Sequence, residues 1–386
     1  MLRSLFLVAL LVGGGLTPGA ANLFAADEVI KGDDGTQLSK VALDADSKRH
    51  GAYTAWFPGG KKVAEKSQYA HGKLHGKRLC FDQKGRPTAD ETWLDGSLIF
   101  PRSIAFIDAT RKQIAIDTAP AMAALGPLTD IVGAAKPKDL ELALIRIRTY
   151  RYLCFVPYED ITFNREYINL AQHAASVLVK IGSLTHTPSK PAGVEDAFFA
   201  LAAKGCGESN LCQGSDLAGS VDRYMNDSDP SNIDRIGHRR WLLNPGMQQT
   251  GLGIEGAFSA LYAFDQKRAA IPDYEFVSYP PRGYCPHDLF DASYAWHASF
   301  NPAHYDVAAT ATMAIYPLNA QLKRTGKALE TDYAKVNLDG FGIPNAVISR
   351  PKTVSLSKNA SYEVVISGLV PKGERTAEMS YIVSFY

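Results

Sequence analysis

The chain predicts an α+β protein in which an antiparallel sheet is packed between helices, with an N-terminal β-hairpin repeat module and a C-terminal β-sandwich. Three observations predict it. From Leu140 to Asp265, segments with apolar residues at helical spacing are interleaved with short, glycine-punctuated apolar runs. Ahead of them the sequence echoes itself with a shift of 25 residues. Behind them apolar and polar residues alternate, as half-buried strands require.

At 386 residues the chain exceeds one ordinary hydrophobic core, and a prior of one domain per ~150 residues suggests two or three. A composition of 46 % hydrophobic and 21 % charged residues is globular and excludes wholesale disorder. Residues 1–26 carry Arg3, an apolar run from Leu5 to Val12 and then small residues. This is the grammar of a cleaved signal peptide, with the cut after Ala21, Ala25 or Ala26. The run is shorter than the ~20 residues of a spanning helix, so we expect an exported protein (periplasmic, cell-surface or extracellular) with no transmembrane segment in the mature chain. Cleavage removes only Arg3 among charged groups, so the 41 Lys/Arg fall level with the 40 Asp/Glu. A neutral chain gives no electrostatic footing for nucleic acid.

Within residues 27–103, HGAYTAWFPGGKKVAEKSQYAHGK is followed by HGKRLCFDQKGRPTADETWLDGS. His50-Gly51 recurs as His75-Gly76, Trp56 as Phe81 and Gly60 as Gly85. Aromatic and polar residues alternating toward a glycine turn predict short hairpins stacked one on the next. The pattern resembles MORN-like repeats, and the resemblance implies a β-hairpin per repeat and contact with lipid or protein. Between residues 48 and 86 the only acidic side chains are Glu65 and Asp82, among many lysines and arginines. These either face an anionic partner, such as wall polymer or lipid head groups, or guard exposed hairpin edges.

Residues 104–138 are rich in Ala, Pro and Thr and predict a linker with a short helix. Asp139 then caps a helix with Leu140, Leu144, Ile147 and Cys154 inward. Asn164 caps a second, with a stripe at Tyr167, Leu170, Ala171, Ala174, Val177, Leu178 and Ile181 and His173 on its polar side as a solvated or structural histidine. Asp216 caps a third, with Leu217, Val221 and Tyr224 inward, ending at the turn DSDPSN. Trp241 to Leu243 read as a buried strand closed by the turn Asn244-Pro245-Gly246, and TGLGIEGAFSALYAFD reads as paired strands. In residues 266–386 the pairs Val354/Leu356, Tyr362/Val364/Ile366 and Tyr381/Val383/Phe385 alternate as antiparallel strands do.

The chemistry-bearing residues collect in the middle of the chain. His186 in LTHTPS and His238 in IDRIGHRRWLLNP bracket Glu208 in CGESNLC. Imidazole and carboxylate bind divalent metals or move protons near neutral pH, so the collection points to a site. The ordered series LELALIRIRTYR, YEDITFNREYINLAQHAASVLVKIGSLTHT, CGES, VDRYMND, GHRRWLLNP and TGLGIEG resembles the CAP superfamily (cysteine-rich secretory proteins, antigen 5 and pathogenesis-related 1 proteins; the SCP-like domain), in particular its bacterial branch. The resemblance covers residues 139–265 and implies a CAP-type antiparallel sheet between helices. It also implies a cleft where two histidines and two acidic residues meet and can hold a divalent ion. His186 and His238 match the histidines, and Glu208 the glutamate of a Gly-Glu-Asn motif in which Ser209 here replaces Asn. The fourth member lies after an aromatic, so Asp227, three residues past Tyr224, matches best, with Asp229 competing. Two imidazoles and two carboxylates suit zinc.

Beside the cleft, Arg239 and Arg240 either contact an anionic ligand or pair with Asp222, Asp227 or Asp234 and serve structure. Cys206 and Cys212 either bridge around Glu208 or stay reduced, while Cys80, Cys154 and Cys285 show no metal-ligand spacing. Ser209 lacks the Gly-x-Ser-x-Gly setting of a nucleophile. The preferred expectation is a secreted or cell-surface protein that binds a small amphipathic ligand, a wall component or a protein through the His/Glu cleft. Alternatives are a metal-dependent peptidase or esterase using His186, Glu208 and His238, and a structural adaptor with a vestigial cleft.

Overall fold

A computed structural model describes residues 26–386, which form two compact units, one ending at Ile107 and one running from Asp108 to Tyr386. Of the expected signal segment, residues 1–25 lie outside the described residues, and Ala26 opens the first strand.

In the first unit β1 (Ala26–Lys31), β2 (Gln37–Leu43), β3 (Arg49–Trp56), β4 (Val63–Ala70), β5 (Lys73–Phe81), β6 (Pro87–Leu94) and β7 (Ser97–Phe100) build one antiparallel sheet in sequence order. The 25-residue echo corresponds to two successive hairpins, β3–β4 and β5–β6. Their tight turns match: the Gly60 and Gly85 amides donate to the Phe57 and Asp82 carbonyls at 3.0 and 2.9 Å. The return turns match too. His71-Gly72 and Asp95-Gly96 both adopt positive φ, and the two glycine amides reach the Arg49 and Leu74 carbonyls at 2.8 Å. Part of the basic surplus is spent across strands: Arg78 spans Glu65 and Glu91 at 3.0 Å each, Arg49 meets Glu28 at 2.6 Å, and Lys77 meets Asp90 at 3.1 Å.

The chain passes between the units within α1 (Ile104–Leu125), so most of the expected linker is a helix of 22 residues. Its alanines favour helix, and Pro120 does not end it. α2 (Pro137–Leu153) starts at Pro137 and not at Asp139, because proline with its preset φ fits the first helical position and the Lys136 side chain makes no cap bond. β8 (Thr162–Phe163) leads to α3 (Arg165–Ile181), where Asn164 Oδ1 accepts from the Glu166 and Tyr167 amides at 2.9 and 3.3 Å and Gly182 ends the helix at φ 79°. α4 (Asp196–Gly207) was not anticipated. Next come β9 (Ser209–Gln213), α5 (Leu217–Asn226) capped by Asp216 Oδ1 on the Gly219 amide at 2.7 Å, and α6 (Gly237–Leu242). The residues read as a strand at Trp241–Leu242 are therefore helical. β10 (Gln249–Thr250), β11 (Leu252–Glu255) and β12 (Phe258–Tyr262) complete this region.

The sheet β11-β12-β9 is antiparallel, and α3 and α4 pack against one of its faces. Leu211, Phe258 and Ala260 face a core made by Ala171, Ala174, Val177 and Leu178 of α3 with Ala202 and Cys206 of α4. Burying Val177 and Leu178 contributes about 1.5–3 kcal/mol each. α5 attaches to β9 through the Tyr224 hydroxyl, which donates to the Asn210 carbonyl at 3.0 Å. Three glycines set the separations. A Cβ on Gly251 or Gly253 would strike the α3 backbone at Tyr167–Ile168 or Ala171–Gln172, and one on Gly205 would strike the Leu170 carbonyl. The glycines of TGLGIEG are thus where the helix rests on the sheet.

Beyond residue 265 two four-stranded sheets follow. One, β13-β15-β18-β17, comprises β13 (Phe276–Tyr279), β15 (Trp296–Phe300), β18 (Ala346–Pro351) and β17 (Thr331–Asn337). The other, β14-β20-β19-β16, comprises β14 (Gly283–Cys285), β20 (Glu378–Phe385), β19 (Ser361–Pro371) and β16 (Tyr305–Leu318). Trp296 of the first meets Tyr362 and Phe385 of the second edge-on, at 5.7 and 6.2 Å between ring centroids. No helix among the described residues is long and apolar enough to cross a membrane.

Candidate functional site

His186 and His238 come together, with ring centroids 6.4 Å apart. His186 lies in the loop after α3, and its Nδ1 is 2.8 Å from the Cys206 carbonyl at the end of α4. A carbonyl only accepts, so Nδ1 carries the hydrogen and Nε2 of the neutral ring keeps its lone pair. His238 stands on α6 with Nδ1 2.8 Å from Asp227 Oδ1, which fixes the same tautomer. Asp227 ends α5 in the left-handed region, φ 47°, with its side chain buried and its second oxygen accepting the Arg239 amide at 3.3 Å. Asp227 therefore orients His238 from behind, as outer partners of functional histidines do.

Both histidines line an open cavity of ≈ 320 Å³. Trp241, Phe264 and Phe341 also line it, and Arg235 and Asn232 supply polar groups. Trp241 stacks on Phe264 at 4.3 Å and 26°, and the Arg235 guanidinium sits 6.0 Å from the Phe341 ring centre. Phe341 comes from the loop between β17 and β18, so the C-terminal region supplies part of the wall. On its other side His238 borders a second cavity of ≈ 350 Å³, shared with Asp227, Asp229 and Leu184.

Glu208 does not line the first cavity. It caps α4, and its carboxylate interacts with the Tyr262 phenol, whose ionisation burial first and Glu208 second push well up. Glu208 Oε2 is buried without a hydrogen-bond partner among the described residues. Asp229 is committed to its own loop, accepting from the Ser231 amide at 3.0 Å and Asn232 Nδ2 at 2.9 Å. The expected tetrad thus resolves into two cavity histidines, an orienting Asp227 and a separate Glu208. Among the described residues, the His/Cys/Asp/Glu group with ligand atoms all within 4.8 Å of one another is Asp44, His50 and His71 in the first unit.

Arg239 and Arg240 are not anion contacts, because both are fully buried with their donors spent on the protein. Arg239 donates to the carbonyls of Met225 at 2.6 Å and Ala295 at 2.7 Å, and to that of Asn226. Arg240 donates to the Ile343 carbonyl and Asn337 Oδ1 at 2.7 Å each, and to the Asp339 carbonyl. Burial pushes the Arg240 ionisation down to about 10. These forks tie α6, and with it His238, to the C-terminal region. Arg151 ties the end of α6 to α2 instead, donating to the Leu242 and Asn244 carbonyls at 2.8 and 3.0 Å.

Cys206 and Cys212 do not bridge, and all five cysteines are free thiols. Cys206 points into the α3–α4 core on the face of Leu211, whereas Cys212, one position along β9, points to the opposite face. Burial pushes the Cys206 thiol up to about 11. Ser209 borders the cavity, but its hydroxyl is buried with no hydrogen-bond partner, so neither histidine activates it. His173 keeps to structure, with Nδ1 2.8 Å from the Asn169 carbonyl.

Sequence reasoning missed Asn232, Arg235, Phe264 and Phe341. Arg235 was within reach, standing three residues before His238, and so was Phe264, a large apolar side chain left 42 % exposed at the cavity. No protein-family model matches the chain, and comparison with curated proteins and with solved structures finds no match.

Proposed function

We propose that residues 139–265 are a CAP-type domain whose histidine cleft binds a small amphipathic ligand, within an exported protein that also carries N-terminal MORN-like repeats and a C-terminal β-sandwich. The observation that carries the reading is the make-up of the cavity, whose lining brings together two tautomer-fixed imidazoles, an arginine and three aromatic rings. Such a lining accepts an apolar body against Trp241, Phe264 and Phe341 and a polar or anionic head near Arg235 and the histidine Nε2 atoms. At ~30 Å³ per water-sized group, the cavity holds a ligand of roughly ten such groups.

Decanoate is a suitable probe. Titration followed by calorimetry and tryptophan fluorescence should give saturable one-to-one binding. Trp241→Ala and Arg235→Ala should each weaken it by about tenfold, the ~1.4 kcal/mol of one good contact. Equal binding by wild type and both variants would sink the cleft assignment. The Asp227–His238 hydrogen bond favours a second reading, an esterase or peptidase with His238 as general base. Turnover of a p-nitrophenyl ester lost in His238→Ala would support it, and turnover equal in the variant would remove it.

A further inference from the structure

We infer that Asp44, His50 and His71 form a zinc-binding site at one end of the N-terminal sheet, separate from the cleft and independent of the function proposed for it. The ligand atoms of the three lie within 4.8 Å of one another. They come from the turn between β2 and β3, the start of β3, and the turn between β4 and β5, which the antiparallel order brings to the same end of the sheet. His71 Nδ1 is 2.9 Å from Asp44 Oδ2, the His71 amide is 3.5 Å from His50 Nδ1, and the two rings meet edge-on at 4.9 Å.

The site has the features of a prepared one. Asp44 is buried, and its other oxygen is held by the Asp46 and Lys48 amides at 3.0 and 2.9 Å, so Oδ2 is aimed at His71. His71 is placed over it by a left-handed backbone, φ 47°, locked by the Gly72 amide on the Arg49 carbonyl. The next hairpin repeats half the arrangement: His75 Nδ1 is 3.0 Å from Asp95 Oδ1, with Asp95 at the turn position equivalent to His71. There the group stops at two residues, and only the first hairpin pair gathers three.

Two imidazole nitrogens and one carboxylate oxygen are the donor set of three-ligand zinc sites, in which water fills the remaining position. Donors around tetrahedral zinc lie about 3.4 Å apart at bond lengths near 2.0–2.1 Å, so side-chain rotation of the exposed His71 and half-buried His50 closes the present spacing. Zinc takes the place of the proton that His71 Nδ1 shares with Asp44, and that proton passes to solvent. The bound ion would cross-link two turns that the backbone joins only through the sheet.

The test is zinc titration calorimetry, with Co²⁺ visible absorption as a second measurement, on the described chain. It compares wild type, His50→Ala/His71→Ala, Asp44→Asn, and the cleft variant His186→Ala/His238→Ala. One equivalent should bind to wild type and to the cleft variant. His50→Ala/His71→Ala should weaken that equivalent more than about 100-fold, beyond the 10–100-fold typical of outer partners. A cobalt d–d band should appear in wild type and vanish in the same variant. Circular dichroism and the more conservative His50→Gln/His71→Gln keep the result interpretable if the alanine variant folds poorly. Two equivalents, one lost with each histidine pair, would support both sites. Absence of stoichiometric binding in wild type, or binding lost only with His186 and His238, overturns the proposal.

Discussion

Replacing Gly205 by alanine sets packing against helix propensity, and the structure predicts which wins. On propensity alone, alanine inside α4 gains about 1 kcal/mol over glycine. The added Cβ, however, would meet the Leu170 carbonyl oxygen, its carbon at 2.8 Å and Ala174 Cβ at 3.1 Å. The first two are backbone atoms of α3, so no rotamer relieves the clash, and α4 must back away by the better part of an ångström. A gap of ~0.5–1 Å forfeits a quarter to a half of the dispersion well, and a buried leucine makes about 40–60 contacts worth ~0.1–0.2 kcal/mol each. The loss is then about 1–6 kcal/mol per leucine-sized contact. The seam of Ala171, Ala174 and Leu178 against Ala202 and Cys206 is larger than one leucine, which puts the cost near 3 kcal/mol. Net of propensity, Gly205→Ala should destabilise by about 2 kcal/mol. Urea unfolding with a slope of about 1–3 kcal/mol/M should then show a midpoint lower by about 1 M. Gly207→Ala is the internal control, since its Cβ meets only the His186 carbonyl oxygen at 3.8 Å, and its midpoint should be unchanged or slightly raised. Because Cys206 holds His186, Gly205→Ala should also weaken decanoate binding. If Gly205→Ala unfolds at or above the wild-type midpoint, the α3–α4 seam is not as described.

Three further outcomes are expected. Arg239→Lys keeps the charge but loses the planar fork, orphaning at least two of the Met225, Asn226 and Ala295 carbonyls at ~1–3 kcal/mol each, so a urea midpoint within error of wild type would refute the clamp role. Asp160 is held below the ordinary carboxylate value of 3.8, first by its bond to Arg268, whose guanidinium grips it at 2.6 and 2.7 Å. With the folded value depressed, its contribution is present above the unfolded value and lost as pH falls through the folded one. Asp160→Asn should therefore flatten the loss of stability on acidification below about pH 4 in thermal melts at stepped pH, and an unchanged acid limb would count against the pair. Finally, alkylation in denaturant without reductant should add five groups by mass spectrometry, whereas in native buffer the half-buried Cys80 should react well ahead of the four buried thiols; three adducts in denaturant would restore a disulfide.

The parts of the fold legible in the sequence are those whose cause is local. The stripes of α3 and α5 mark themselves because each buries one face, and Asn164 and Asp216 mark the starts because a side-chain oxygen there satisfies amides two or three residues on. α4 escaped because DAFFALAAKGCG is apolar around most of its circumference and ends in glycines, which look like coil until the opposing Leu170 carbonyl explains Gly205. The three apolar residues at Trp241–Leu243 carry no period, so nothing local tells strand from helix. The two cavity histidines were legible as imidazoles beside small residues, although His238 stands at the start of α6 and not in a turn. The direction of the Glu208 side chain was not, because it is set by Tyr262, a partner 54 residues away across the β9–β12 pairing.

The arginines show most clearly where such reading stops. Buried guanidinium must be hydrogen-bonded, so an arginine inside an apolar pattern signals a long-range partner. LIRIRTYR and GHRRW both carry that signal, and for Arg239 and Arg240 the sequence offers either an acidic mate or an external anion. Arg148, Arg151, Arg239 and Arg240 instead bond chiefly to backbone carbonyls, at Ile161, Leu242, Met225 and Ile343 among others. Every residue owns a carbonyl, so no side chain elsewhere in the sequence announces the partner. Arg239 and Arg240, which the sequence leaves either as anion contacts or as structural pairs, serve the cleft by holding α6 to the C-terminal region that contributes Phe341. That coupling is testable in turn: an interaction that positions His238 and the aromatic wall together should make Arg239→Lys and Trp241→Ala non-additive in decanoate affinity, by more than the ~0.5 kcal/mol within which independent sites add.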